Sequence, residues 1–405
     1  MKKSILLFVI LISVNLITFS QSCLPDGITF STQTQIDSFQ INYPNCTEIE
    51  GHVSIQGDNI TDLNGLNNLV SIAGYLVISY NNNLNNLDGL NNLTSIGGGI
   101  IINTNHSLTN ISALSNVAFS DTGEYLGGQC VEIHGNDALI NLEGLNSIDT
   151  INQHLSIDFN ASLTSLSGLQ NLKYINGYFL LDQNDALVSL EGLNNLNRIN
   201  YIFFITRNDA LTNLEGLTNL TTLLRDFNIS SNDSLLSLSG LNRLTSVSAI
   251  EIGGNPMLTD INALTNVDTA LLEKLTIRNN TSLMECDIES ICSYLMLPSS
   301  DVEINNNATG CNSEEEVMAA CTEGVSEINP KPVFTIYPNP ATKNLFISSN
   351  NELVNAVTIY NQLGQKVIFK TKPTDKVDVS MLKQGIYVIE LVSNKYKTRH
   401  KLIIQ

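Results

Sequence analysis

An asparagine recurs ten times after a strand-like stretch of this chain, and most intervals between successive copies are 24 residues. An apolar residue lies three positions before each one, as Ile78 does before Asn81. A fixed period in this range is typical of stacked coils, each of which buries its neighbour's apolar face. The asparagines are Asn81, Asn105, Asn136, Asn160, Asn184, Asn208, Asn232, Asn255, Asn280 and Asn307. The sequence therefore predicts an all-β-dominated fold built around a parallel β-solenoid.

One repeat unit runs from His154 to Gly177 and shows how each coil is expected to fold. The alternation of Leu155 and Ile157 predicts a short strand with its apolar side inward. The leucines that follow are three residues apart, which indicates a tight return path rather than a long helix. The asparagine of each unit is expected to bond turn amides and carbonyls that the coil buries. The ten asparagines are therefore predicted to be structural.

A glycine precedes a leucine on the return path of seven units, where the chain must bend without a Cβ atom. Ala113 and Ala263 replace it in two other units, so those bends need not have positive φ. The glycines are Gly65, Gly89, Gly144, Gly168, Gly192, Gly216 and Gly240.

Residues 52–283 resemble a leucine-rich-repeat array, because Leu76-x-Ile78-x-x-Asn81 follows the LxLxxN core of that class. The spacing differs after the asparagine, since Leu84 lies three residues on instead of two. The Gly-Leu returns and the cysteine-bounded ends are more similar to the receptor L-domain relatives of the class. That resemblance implies a right-handed parallel β-helical solenoid used for ligand recognition, and it does not carry over the identity of a ligand.

The first 20 residues are typical of a signal peptide. Lys2 and Lys3 precede an apolar run from Ile5 to Leu16, and small or polar residues follow. The run is too short to span a membrane comfortably, so we expect cleavage near Gln21 and no transmembrane segment afterwards. An acylated Cys23 is the alternative, but Ser20-Gln21-Ser22 lacks the apolar residue that such a site needs.

Seven cysteines in an exported chain favour disulfides over metal binding. Two groups bracket the repeats, within an N-terminal cap at 21–51 and a C-terminal cap at 284–322, because a solenoid must close its apolar ends. Cys130 is left without an obvious partner. The candidate disulfide cysteines are Cys23, Cys46, Cys286, Cys292, Cys311 and Cys321.

The charge of the chain changes sign near Lys331. Residues 331–405 hold 11 Lys/Arg and 4 Asp/Glu, whereas residues 21–330 hold 7 Lys/Arg and 35 Asp/Glu. Such an acidic body argues against nucleic acid or anionic lipid as a partner. The change also marks a domain boundary, with a linker at 323–332.

Two neighbouring units break the polar pattern of the outward-facing positions. Elsewhere these positions carry residues such as Ser156 and Asn228, but here they carry apolar side chains beside two carboxylates. Exposed patches of this kind mark interaction sites, and coverage by a loop or by the C-terminal domain is the alternative. The predicted ligand-binding residues are Tyr178, Leu180, Ile202, Phe204, Asp158 and Asp182.

Four aspartates directly follow ladder asparagines and form a second column: Asp137, Asp185, Asp209 and Asp233. Stacked strands would place neighbouring carboxylates about 5 Å apart, where calcium could bridge them. Solvated turn carboxylates are the alternative reading.

The unit between Ile102 and Ile133 is 31 residues long, and its extra residues fall near Val117–Gln129. Loops inserted at a repeat edge often carry function, although tolerated surface insertions are equally common.

A carbohydrate-active enzyme is the competing class, because parallel β-helices also include polysaccharide lyases and hydrolases. Such sites need clustered carboxylates with a base or a cation close by. The basic residues of the solenoid instead fall at different offsets in the repeat, and no nucleophile elbow, phosphate loop or HExxH motif is present. The sequence therefore predicts no enzyme and no cofactor.

Residues 333–405 contain seven short β-rich runs separated by turn signals, which predicts a small antiparallel β-sandwich. The segment closely resembles the C-terminal sorting domain of the type IX secretion system in the Bacteroidetes. Matching stretches begin at Tyr337, Asn361 and Val377, and the motif residues are Pro338, Asn339, Pro340, Gly364 and Gly385. The resemblance implies recognition by the secretion machinery, followed by release or attachment to the cell surface.

These features together predict a secreted or surface-displayed binding or adhesion protein whose ligand is a glycan or a protein. A purely structural surface protein and the carbohydrate-active enzyme are the alternatives.

Overall fold

The computed structural model describes residues 21–119, 130–298, 300–323, 334–348, 353–361, 364–371, 375–393 and 397–405. The chain divides into two compact units between Cys321 and Thr322. Several predicted features lie outside the described residues: the signal segment 1–20, residues 120–129 of the insertion, 324–332 of the linker, and 333 and 362–363 of the tail.

The first unit is built on a twelve-stranded parallel sheet in which each coil contributes one strand. The apolar anchors of neighbouring coils pair directly, as Ile133 pairs with Ile157. The strands are Ile28–Phe30, Val53–Ile55, Leu76–Ser79, Ile100–Asn103, Val131–His134, Leu155–Asp158, Phe179–Asp182, Phe203–Thr206, Asp226–Ser230, Ala249–Gly253, Lys274–Arg278 and Val302–Asn305. The parallel β-solenoid predicted from the repeat is confirmed.

The return path of the coils forms two shorter parallel sheets. One consists of Gln21–Cys23, Cys46–Ile49, Ser71–Ile72, Ser95–Ile96 and Ala118–Phe119, and the other of Thr150–Ile151, Tyr174–Ile175, Arg198–Ile199 and Thr222–Leu223. The leucines and isoleucines between the sheets form one continuous buried core. Inside it, Phe203 stacks on Phe179 and Phe227 in the adjacent coils, with ring centroids 4.8 and 5.5 Å away.

The return path bends in two different ways. Four coils use a 3₁₀ turn, at Asn64–Leu66, Ser112–Leu114, Glu215–Leu217 and Asn262–Leu264. Two of these contain Ala113 and Ala263, which fits the expectation that their bends need no positive φ. Five other coils use a glycine with positive φ, such as Gly168 at +115°. A Cβ atom on Gly168 would lie 1.8 Å from the Leu142 carbonyl oxygen, so this coil requires glycine for space as well as for conformation.

The asparagines form a continuous hydrogen-bonded column at one corner of the solenoid. The Asn184 side-chain nitrogen donates to the carbonyls of Ile157 and Asp182, at 2.9 and 3.1 Å, and to Asn208 Oδ1 at 3.2 Å. Asn184 Oδ1 accepts from the backbone and side-chain nitrogens of Asn160. Nine of the ten side chains are fully buried, and Asn307 is 9% exposed. The column therefore satisfies backbone groups that have no water to bond.

The residue before every ladder asparagine has positive φ, between +50° and +67°. Two of the ten are glycines, Gly135 and Gly254, and the other eight carry side chains, including Phe159 and Arg207. This left-handed residue turns the chain at the end of the strand, and the asparagine that follows points into the corner. The conformation costs a non-glycine residue roughly 1–2 kcal/mol, which the asparagine bonds offset.

Both ends of the solenoid are capped and joined by disulfides. The N-terminal end carries helices Gln33–Asp37 and Phe39–Asn42 and the Cys23–Cys46 bond. The C-terminal end carries helices Glu289–Leu295 and Glu314–Glu323 and bonds Cys286 to Cys311 and Cys292 to Cys321. The predicted disulfides are confirmed, and Cys130 is a buried free thiol.

The second unit consists of two small antiparallel sheets around its own core. One contains Thr335–Tyr337, Asn344–Ser348 and Lys376–Asp378, and the other contains Ala356–Tyr360, Lys366–Lys370, Gly385–Val392 and Lys397–Ile404. Asn339 lies between the cis prolines Pro338 and Pro340 and bonds the last strand, donating to Lys401 O and accepting from Ile403 N, both at 2.8 Å. Gly364 adopts φ +72° in a turn, and Gly385 begins the long third strand.

Candidate binding face of the long sheet

The outward side of the twelve-stranded sheet, called the binding face from here on, carries the predicted ligand residues. Because the strands pair in register, equivalent side chains of successive coils form columns. Neighbouring side chains within a column are about 4.8 Å apart. Leu180 stands between Ser156 and Phe204 in one column, and Asp182 stands between Asp158 and Thr206 in another. The sequence repeat therefore places the six predicted residues within three neighbouring strands or, for Tyr178 and Ile202, directly before them.

Tyr178, Leu180, Ile202 and Phe204 form what we call the aromatic patch. The Tyr178 side chain is 37% exposed and the other three are half-buried. Tyr178 lies against the ring of His154 at 4.6 Å, with the two planes within 8° of each other. Parallel packing against His154 fixes the orientation of the tyrosine ring and lowers the entropy cost of binding a ligand against it.

The two predicted carboxylates are buried beside the patch. Asp158, 8% exposed, accepts from Ser156 Oγ at 2.8 Å and lies 2.5 Å from His134 Nδ1. Asp182, 4% exposed, accepts from both Arg207 Nε, at 2.9 Å, and Arg207 Nη2, and from the Thr206 hydroxyl. Both carboxylates are therefore held by protein partners, and the groups that reach solvent are the imidazole of His134 and the guanidinium of Arg207.

Two further apolar outward residues were not predicted from the sequence. Val77 and Ile101 pair on adjacent strands and are half-buried on the same column as Leu180 and Phe204. Glu132 and Ser156 separate the two apolar pairs along this column. The signal was present in the sequence, because both residues directly precede their anchors Ile78 and Ile102.

A cavity of about 270 Å³ opens next to the aromatic patch, with Phe204 in its wall. It lies over the strand Ala249–Gly253, where the short side chain of Ala249 leaves room between longer neighbours. Glu251 lines it and accepts from Asn228 Nδ2 and from Arg278 Nη2, both at 2.8 Å. The hydrogen bond with Glu251 is the main cause that raises the pKa of Arg278. Lys274 and Asp226 add charge to the lining, so the cavity offers donors and acceptors beside an aromatic edge.

Cys130, Glu132 and His154 come together at the other side of the patch. His154 Nε2 lies 2.8 Å from Glu132 Oε1, and this hydrogen bond is the main cause that lowers the pKa of Glu132. Burial, followed by the Glu132 charge, raises the pKa of the Cys130 thiol to about 11. Burial and the same carboxylate also raise the pKa of Tyr178. This cluster was not predicted from the sequence, although Cys130 and His154 are one 24-residue period apart.

The aspartate column lies in the turns after the asparagines. Asp137 bonds His106 Nδ1 at 2.7 Å. Burial, and then the charges of Asp233 and Asp185, raise the pKa of Asp209. Within the part of the chain that the structure describes, one group of three potential metal ligands has its donor atoms within 4.8 Å of one another. This group is Cys130, Glu132 and His154. Calcium binding by the aspartates therefore stays a prediction.

Comparison with known families matches both parts of the chain. Residues 45–144 match the Receptor L domain family, and residues 335–405 match the Secretion system C-terminal sorting domain family. The chain is an L-domain-like repeat protein with a type IX secretion sorting tail. It is therefore secreted or attached to the cell surface. None of the helices in the described ranges has the length and apolar character needed to cross a bilayer.

A curated relative matches part of the chain. Over 101 residues the chain is 32% identical to Beta-agarase D of Zobellia galactanivorans. The match covers 24% of this chain and 21% of the relative, so the L-domain-like protein spans about a fifth of that enzyme.

Proposed function

We propose that this protein is an extracellular binding protein that captures a polysaccharide on its binding face, through the aromatic patch and the adjoining cavity. The observation that carries the proposal is the pairing of Leu180 with Phe204 beside the stacked Tyr178, which gives an apolar surface with two aromatic rings. The sorting tail brings this surface to the outside of the cell, where polysaccharides and other cells are the available ligands.

The chemistry of the face suits a sugar. A pyranose ring presents an apolar C–H face and a rim of hydroxyl groups, so it needs a flat aromatic surface with hydrogen-bonding groups at its edge. Tyr178 supplies an aromatic ring of fixed orientation. Arg207 binds Asp182 beside the patch, and Asn228 and Lys274 line the adjoining cavity. The L-domain resemblance, which implies ligand recognition, and the match to an agarase both support this choice.

A partner protein is the alternative ligand, because partly exposed aromatic residues with charged neighbours also form protein interaction sites. An array of glycans, including agarose-type galactans, and of cell-surface proteins, probed with the chain from residue 21 onward, tests the proposal. Binding to glycans supports it, whereas binding to cell-surface proteins alone contradicts it.

Carbohydrate cleavage is the second candidate function, favoured by the agarase match. Asp158 and Asp182 lie on adjacent strands, a spacing compatible with a retaining carboxylate pair. Both carboxylates are buried and hydrogen-bonded to protein partners, whereas the acid that cleaves a glycosidic bond must reach its oxygen. Release of shorter sugars from agarose, abolished by Asp158→Asn, would establish cleavage.

A further inference from the structure

Three side chains that bind metals in other proteins converge on the binding face. Cys130 and Glu132 are alternate residues at the start of one coil, so both lie on the same side of the sheet. His154 is in the next coil, beside Cys130: the Val131 amide bonds the His154 carbonyl at 3.0 Å. The sulfur, one carboxylate oxygen and one imidazole nitrogen all lie within 4.8 Å of one another.

Cys130 differs from the other cysteines in the described part of the chain. Those six are joined in three disulfides that hold the caps, whereas Cys130 is free and 4% exposed in the middle of the array. Its sulfur occupies the space above Gly99, where an added Cβ atom would lie 2.7 Å from Sγ. The preceding coil therefore makes room for the thiol, and Glu132 and His154 meet at its side.

The identity of the donors selects the kind of metal. A thiolate, an imidazole and a carboxylate are the mixed ligands of zinc, which takes sulfur, nitrogen and oxygen in a tetrahedral arrangement. Calcium and magnesium prefer all-oxygen sites, so a site containing sulfur disfavours them. Three protein ligands leave a fourth position, and because Glu132 and His154 are only half-buried, water or an extracellular ligand can reach it.

The orientation of the His154 ring is fixed by a neighbouring residue, as a metal ligand requires. Its ring is stacked on Tyr178, which fixes the ring plane while Nε2 points to Glu132. Metals bind best to ligands whose orientation is set by neighbours. A metal between Glu132 and His154 would replace the hydrogen bond that now joins them, so both keep a partner in either state.

We propose that Cys130, Glu132 and His154 form a binding site for a zinc-type divalent cation on the binding face. The inference stands independently of the polysaccharide proposal, because it concerns a different set of side chains.

The test uses the chain from residue 21 onward with its three disulfides intact, stripped with a chelator without thiol reductant and then titrated with zinc in a calorimeter. Cobalt(II) serves as a second probe, because a thiolate ligand gives it a charge-transfer absorption band. We expect one metal per chain and a thiolate band. Cys130→Ser should remove the band, and His154→Gln should weaken zinc binding more than the roughly 10–100-fold that loss of a supporting neighbour costs.

His106→Gln is the matched control, since His106 also bonds a carboxylate, Asp137, but has no cysteine beside it within the described residues. This variant should bind zinc as the unchanged chain does. If Cys130→Ser does not fold, protection of the Cys130 thiol from alkylation by added zinc gives the same information in the unaltered chain. Absence of zinc uptake, uptake that is insensitive to His154→Gln, or a thiol that zinc does not protect would overturn the proposal.

Discussion

Leu180 and Phe204 are direct partners on neighbouring parallel strands, and both side chains lie on the outward side of the long sheet. In a solenoid with a strict period, a residue at a given offset repeats its position in every coil, so two adjacent apolar exceptions produce one continuous surface. Tyr178 and Ile202, at the preceding outward offset, widen that surface by a second column. The arrangement gives the chain an apolar patch within its acidic body.

The asparagine column is expected to stabilise the solenoid strongly. Asn184→Ala would leave the buried Asn160 amide without its acceptor and would remove one of the bonds to the Ile157 carbonyl. The orphaned amide costs about 1–3 kcal/mol and the lost bond about 1 kcal/mol, so the free energy of unfolding should fall by roughly 2–4 kcal/mol. Urea unfolding followed by circular dichroism measures it. Asn171→Ala, an exposed asparagine with one bond to Asn146 O, is the control, and an equal loss in both variants would contradict the account.

The return-path glycines should differ in tolerance from the glycines before the asparagines. Gly168→Ala combines positive φ with a Cβ atom 1.8 Å from a carbonyl oxygen, so we expect a loss of about 2–6 kcal/mol. Gly135→Ala has positive φ but no atom within 3.5 Å of the added Cβ, and should cost about 1–2 kcal/mol. Melting temperatures of the two variants decide the point. Equal destabilisation would mean that φ, and not space, is what selects glycine at Gly168.

The aspartate column should make stability depend on pH and on calcium. The folded state raises the pKa of Asp209 through burial and the charges of Asp233 and Asp185. A raised carboxyl pKa means that the folded state is favoured at low pH and loses stability as the pH rises through that pKa. Asp209→Asn should therefore melt higher than the unchanged chain at neutral pH and equally at a pH below the ordinary carboxyl range.

Added calcium tests whether the aspartate column binds a cation or consists of solvated turn carboxylates. If calcium bridges these carboxylates, it should raise the melting temperature of the unchanged chain but not that of Asp209→Asn. A melting temperature that calcium leaves unchanged in both proteins would show that these are solvated turn carboxylates.

The sorting tail should be required for export across the outer membrane. A chain that lacks residues 333–405 is expected to accumulate in the periplasm, because the secretion machinery recognises this segment. Cell fractionation and surface labelling measure the distribution. Display of the truncated chain on the surface at the normal level would contradict the assignment.

Much of the architecture was predictable because repetition amplifies a signal that is weak in a single coil. The spacing between Ile157 and Asn160 predicted the strand, its inward face and the corner of every unit. The same register placed Tyr178 and Phe204 on one face. The left-handed residues, Phe159 and Arg207 among them, were not predictable, because their side chains give no sign of positive φ and the turn that follows imposes it.

Interactions between coils were harder to predict than positions within a coil. Arg207 belongs to the basic residues whose offsets in the repeat show no pattern, yet it binds Asp182 one coil away. Asp158 and Asp182 were placed correctly on the outward side, but their burial depends on the sizes and bonds of neighbouring side chains. The cluster of Cys130 with His154 also requires comparing residues one period apart, and an unpaired cysteine in an exported chain directs attention to disulfides first.

The most direct measurement of the central claim is the affinity of the chain for the polysaccharide identified on the array, before and after removal of the aromatic patch. The double variant Tyr178→Ser/Phe204→Ser should lose about 2 kcal/mol or more of binding free energy, roughly 30-fold in Kd. Tyr174→Ser is the matched control, because Tyr174 is 44% exposed but belongs to a return sheet. The account predicts unchanged affinity for the control and lost affinity for the double variant. Full affinity in a correctly folded double variant would contradict it.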